Sequence, residues 1–232
     1  MPEKPNIERN IQQIRQKIAD YCHKYRRSAE DIQLLAVSKT KSVELVTEAY
    51  NSGQQAFGES YLQEALDKMA QLQNFNIQWH FIGHIQSNKT RDIASHFDWV
   101  HSVDRYKIAQ RLNDQRPPEH PPLNICLQVN INRESGKSGT DIEQLEPLVQ
   151  QISQLKRLNL RGLMAIPVKT SSLDQQRQNF KKIRQALEQL QQKHPNLDTL
   201  SMGMSNDMEA AIAEGSTMLR IGTAIFGSRD HT

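Results

Sequence analysis

Eight short apolar runs, each separated from the next by polar chain of helical periodicity, constrain this sequence more than any other feature. They fall at 32–37, 55–58, 77–82, 99–103, 123–129, 160–166, 200–204 and 218–221. Between them the spacing predicts helices over 43–50, 61–72, 88–95, 106–113, 141–155, 173–193 and 207–214. Runs this short and this apolar are what strands buried on both faces look like. Strand and helix alternating so often demand parallel pairing with crossovers. Eight such units in about 200 residues predict an α/β fold, a single (β/α)8 TIM-type barrel at the small end of its range. The rival is an open doubly wound sheet, which usually has a glycine-rich first turn. Here that turn is Ser38-Lys39-Thr40-Lys41.

Ahead of the first run, Ile7, Ile11, Ile14, Ile18 and Tyr21/Cys22 form the stripe of an amphipathic helix over 7–25. It is expected as an extra amino-terminal helix (1–30) packed on the barrel, with 1–232 as one domain. The segment 116–122, rich in proline, reads as a stiff surface turn. A net charge of +3 is too balanced to argue for nucleic acid binding. Cys22 and Cys126 make neither a zinc site nor a disulfide framework, so a reducing cytoplasm is expected. No apolar run is long enough to span a membrane, and the first ten residues lack the apolar core of a secretory signal.

A barrel does its chemistry at the carboxy-terminal ends of its strands. At the first, Leu35, Val37 and Lys39 share a face by the period of two. That row leads Lys39 into the barrel mouth, where partial desolvation lowers an amine's pKa and frees it as a nucleophile. A lysine just past a strand can equally hold its ammonium in water. At strand seven, Ser205 or Asn206 is expected to cap the next helix, with Glu209 completing a capping box. Helix starts also attract phosphate. At strand eight, Arg220 alternates with Leu219 and Ile221 and so takes the opposite face. Gly222 allows close approach to the backbone, and Thr223 adds an amide and a hydroxyl. The loops after strands seven and eight are the habitual phosphate site of this fold. An amine on strand one facing a phosphate grip on strands seven and eight describes a site for pyridoxal phosphate.

Two patterns are set aside. Gly136-Lys137-Ser138 resembles the end of a phosphate-binding loop, but Ile131 stands where that motif needs glycine. His80 and His84 have helical spacing, but the residues between them read as a strand end. A metal pair is not expected there. His80 is placed in the barrel interior and His84 in a loop near the mouth.

The sequence resembles the pyridoxal phosphate homeostasis protein family. The stretches that carry the likeness are LAVSKT (35–40), FGE (57–59), WHFIGHIQSNK (79–89), VHSVD (100–104), RGLMAIP (161–167), LSMGMSND (200–207) and RIGTAIFG (220–227). The resemblance implies a barrel similar to the amino-terminal domain of alanine racemase. It implies pyridoxal 5'-phosphate held as an imine on Lys39. Ser205, Gly222 and Thr223 would hold the phosphate, Met204 would belong to the same binding set, and Arg220 would face the pyridine nitrogen. The family usually has asparagine after Phe-Gly-Glu, and here Ser60 stands there.

A permanent cation against the pyridine nitrogen disfavours ring protonation and leaves a poorer electron sink. That suits a racemase or a cofactor handler better than an aminotransferase. Alanine racemase takes its second acid/base, a tyrosine, from a separate carboxy-terminal domain, for which this sequence has no counterpart. Of the five tyrosines only Tyr61 lies near a predicted strand end. The expectation is therefore a non-enzymatic cytoplasmic monomer that binds, buffers or delivers vitamin B6 cofactor, to apo pyridoxal-phosphate enzymes among others, and so affects amino-acid and keto-acid balance. The alternative is a small amino-acid racemase or lyase.

Overall fold

Most strand residues are buried on both faces, and successive side chains alternate between the barrel interior and the layer under the helices. The computed structural model describes residues 5–132 and 138–227. The strands are β1 (Gln33–Val37), β2 (Ala56–Glu59), β3 (Gln78–Phe81), β4 (Trp99–Val103), β5 (Leu123–Val129), β6 (Leu158–Ala165), β7 (Thr199–Ser201) and β8 (Met218–Ile221). They form a closed parallel barrel in sequence order. The closing pair, β1 with β8, sets Leu35 beside Arg220 and Ala36 beside Ile221. Leu34, Ala36, Leu219 and Ile221 belong to the apolar layer under the helices, whereas Leu35, Ala56, Trp99, Cys126, Met164 and Met218 pack inside the barrel. The fold is the TIM-type barrel that the alternation predicts.

The helices are α1 (Ile7–Lys24), α2 (Val43–Asn51), α3 (Leu62–Gln71), α4 (Thr90–His96), α5 (Tyr106–Gln115), α6 (Leu145–Ile152), α7 (Leu173–Gln191), α8 (Met208–Ala213) and α9 (Thr223–Phe226). Short 3-10 turns precede α4 and α6, so the predicted helices over 88–95 and 141–155 each begin with a tighter turn. Asn6 caps α1 by accepting from Arg9 N. The predicted stripe of α1 is buried, and the helix packs against α2, α8 and α9. Strand seven stops at Ser201 rather than at 204. Gly203 adopts a φ of 100°, and a β-carbon there would collide with Ala211 Cβ and Leu219 Cδ2. Ser42 occupies the cap position of α2, but its side chain makes no capping bond to the backbone. The turn at 116–122 is not all surface: Arg116 is buried and donates to the carbonyls of Ala94, Phe97 and Pro121. Among the described residues no helix is long and apolar enough to cross a membrane.

Candidate functional site at the barrel mouth

The turn after β1 is held from outside the barrel. Ser38 follows Leu34 and Ala36 onto the helix-facing side and is fully buried. Its amide donates to Gly58 O, and its hydroxyl donates to Glu59 Oε1 at 2.7 Å. Lys68, from α3, donates to Ser38 O, Glu59 Oε1 and Glu64 Oε1 at 2.7, 2.8 and 2.6 Å. Thr40 sits at φ 63°, and its amide donates to Glu64 Oε1. Lys39 lies between these two anchored residues, half-buried, on the alternate that leads into the mouth. Burial raises the Glu59 carboxyl pKa against the pull of Lys68.

Arg220 faces inward, as its alternation with Leu219 and Ile221 predicts, and is buried. Its Nη1 donates to Ser201 O and Ser201 Oγ, and its Nη2 donates to Ala165 O at 2.9 Å. Among the described residues its Nε–H and second Nη2 hydrogen meet no acceptor, so two charged donors remain for a ligand. Burial lowers its pKa to about 10, which leaves it cationic at neutral pH.

Below it runs a chain of side-chain hydrogen bonds. His101 Nδ1 lies 2.8 Å from Ser201 Oγ, His101 Nε2 lies 2.9 Å from His80 Nδ1, and His80 Nε2 lies 3.0 Å from Gln78 Oε1. Gln78 Oε1 also accepts from Gln33 Nε2. Burial keeps both histidines neutral: it lowers the His80 pKa to about 3 and holds His101 well below its ordinary value. The order of donors follows. A carbonyl oxygen only accepts, so His80 donates through Nε2 and accepts at Nδ1. His101 then donates through Nε2 and accepts at Nδ1 from the Ser201 hydroxyl. That leaves the Ser201 oxygen to accept from Arg220.

Across the mouth, Gly222 caps α9, whose backbone bonds begin with Ile225 and Phe226 donating to Gly222 O. The amides ahead of them are those a helix leaves open. A β-carbon on Gly222 would lie 3.2 Å from Val37 O, so glycine keeps the space between β8 and β1 clear. Thr223 and Ser205 are exposed and Met204 is half-buried. The capping box expected before α8 does not form. Asp207 is the cap residue and accepts from Met204 N at 2.6 Å. Glu209 is drawn away by Lys24 Nζ at the end of α1 and by the OH of Tyr25, which caps that helix, at 2.6 and 2.9 Å.

The two predicted histidine placements hold. His80 is inside the barrel, stacked on Trp99, and exposed His84, in the loop after β3, has its Nδ1 3.0 Å from Ser138 Oγ in the segment after β5. Lys137, in the dismissed phosphate-loop pattern, lies outside the described residues. Tyr61 caps α3 at 52% exposure. Ser60, where the resembled family has asparagine, has its carbonyl pressed on Gly83, where a β-carbon has no room. Sequence reasoning missed Ser201, His101, Glu59 and Lys68. Strand alternation does carry a signal for the first two, since it puts them on the same inward face as Trp99 and Thr199.

The closed parallel barrel is of the alanine racemase amino-terminal class. Residues 4–230 match the family model for alanine racemase, N-terminal domain. Within that class the chain belongs to the family of pyridoxal phosphate homeostasis proteins. It is 53% identical over 225 residues to the protein of that name from Pseudomonas aeruginosa, covering 97% of this chain and 96% of the relative. Identity to the Escherichia coli K12 protein of the same name is 50% over 230 residues, 98% of each chain. The structure of PipY from Synechococcus elongatus PCC7942 with PLP bound superposes with a TM-score of 0.80 at 38% identity, covering 90% of this chain and all of that one.

Proposed function

We propose that this chain binds pyridoxal 5'-phosphate at the mouth of its barrel and serves vitamin B6 homeostasis without catalysing a reaction. The observation that carries the reading is Arg220, a buried cation held on the inward face of β8 by Ser201 and Ala165, on the strand paired with the one that Lys39 follows. Its relatives' shared name and the PLP held by PipY support the same reading. Lys39 supplies the amine for one covalent imine link, formed with the cofactor aldehyde by loss of one water. Thr223, Ser205 and Met204 with the Gly222 backbone meet the phosphate, and Arg220 donates to the pyridine nitrogen and so keeps the ring unprotonated. When bound, the cofactor supplies a carbonyl that accepts amines. A weak electron sink, held by one exchangeable link, suits buffering and delivery to apo enzymes. The protein works as a cytoplasmic monomer, a single barrel domain over 1–232. Its two free, buried cysteines fit a reducing compartment.

Protein incubated with pyridoxal phosphate should show an imine absorbance band that borohydride abolishes. Lys39→Ala should lose the reducible adduct while thermal unfolding stays near that of the wild type, because the residue lies at the mouth and not in the packed layers. An adduct that persists in this variant would overturn the assignment, and Lys41 and Lys137 would be the next amines to test.

A further inference from the structure

The geometry points to Lys68 as the positioning residue of the Lys39 turn: with Glu59 and Glu64 it clamps the residues on either side of Lys39 and fixes the direction in which that amine is offered at the mouth. The inference rests on the proposed binding role and adds to it a residue on the far side of the strand.

Lys68 is a lysine on an amphipathic helix, the kind of side chain that normally ends in water, yet it is 4% exposed. Its ammonium has three hydrogens and three oxygen partners: Ser38 O, Glu59 Oε1 and Glu64 Oε1. Two of these lead directly to the residues flanking Lys39. Ser38 gives its carbonyl to Lys68 and its hydroxyl to Glu59, while its amide is tied to Gly58 on β2. Thr40, a β-branched residue in the left-handed region, gives its amide to Glu64. With the peptides on both sides tied, rotation about the Lys39 backbone is restricted.

A buried ion cluster is weak evidence for stability, since apolar replacements of such groups are often neutral. Conformational definition of the turn accounts better for this one. Among the described residues Glu59 Oε2 has no hydrogen-bond partner, so the carboxylate is held through Oε1 alone, by Ser38 and Lys68. A misplacement of about 1 Å can cost a reaction about a hundredfold, so direction at this turn has a measurable consequence.

The test follows adduct formation with pyridoxal phosphate in the wild type, Lys68→Met, Glu64→Gln and the double variant. Competent sites are counted by borohydride trapping and located by peptide mapping. A purely structural role would lower the number of competent sites and leave the rate at each unchanged. Positioning predicts a per-site rate slowed roughly tenfold or more in Lys68→Met and about threefold in Glu64→Gln, within the range that misplacement produces. Because the two act as one unit, the double variant should be no slower than Lys68→Met. Per-site rates within about twofold of wild type in both single variants would overturn the inference and leave the binding role standing. If Lys68→Met does not fold, Glu64→Gln, whose side chain is partly exposed, decides by the same criterion. A wild type that traps no adduct on Lys39 would instead overturn the binding role and this inference with it.

Discussion

His80 and His101 are held neutral by desolvation, and this gives the folded state a pH dependence. In the unfolded chain each binds a proton below about pH 6.5. In the folded protein His80 does so only near about 3, and His101 also titrates well below its ordinary range. Between these limits the unfolded state holds more protons, so the histidines' contribution to stability is complete above about 6.5 and is lost as pH falls. The slope is up to about 1.4 kcal/mol per pH unit for each histidine. Glu59, Asp98 and Asp207, whose pKa values burial raises, act in the opposite direction over part of the same window. The comparison that isolates the histidines is wild type against His101→Gln in urea titrations from pH 7.5 to 4.5. The wild type should lose stability more steeply than the variant. Equal slopes would mean that His101 is protonated in the folded barrel.

Between elements, the chain from Arg220 to Gln78 joins β8, β7, β4 and β3 through the barrel interior. Ser201→Ala removes its only hydroxyl, leaving His101 Nδ1 without a donor and Arg220 with one acceptor fewer. Stranding buried polar groups in this way should cost about 1–3 kcal/mol in urea unfolding, and a loss of under about 0.5 would show that the chain does not hold Arg220. None of these links is visible in local sequence, since His101 and Ser201 meet only when the barrel closes. What was visible is what strand alternation encodes: Leu35 and Val37 lead to Lys39, and Leu219 and Ile221 turn Arg220 inward. The misreadings have local causes. α9, four residues long, is too short to show periodicity. The left-handed Gly203 ends β7 early. Glu209 has the spacing of a capping residue, but α1 and its cap residue supply it with a cation and a phenol from far along the chain.

Taken whole, the proposed cofactor site lies at the mouth of a tightly knit barrel, and the two should respond differently to substitution. A phosphate held by amides and hydroxyls lacks the roughly twofold stronger charge-assisted bonds that a side-chain cation would add. Thr223→Val with Ser205→Ala should therefore speed transfer of cofactor to an apo pyridoxal-phosphate enzyme, read as acceptor activity against time with free cofactor trapped in a parallel control, while unfolding stays near wild type. Unchanged transfer would place the phosphate elsewhere. The barrel itself carries its own clocks. Cys22 lies on the buried stripe of α1, and Cys126 lies inside the ring of strands, with its pKa raised to about 12 by burial. Neither thiol can meet an alkylating reagent in the closed molecule. Cys22 should become reactive when the amino-terminal helix lifts away, and Cys126 only when the staves themselves part. The mass of the labelled chain, followed in dilute urea, would then separate undocking from opening: single labelling at Cys22 ahead of double labelling if the helix leaves first, simultaneous labelling if helix and barrel let go together.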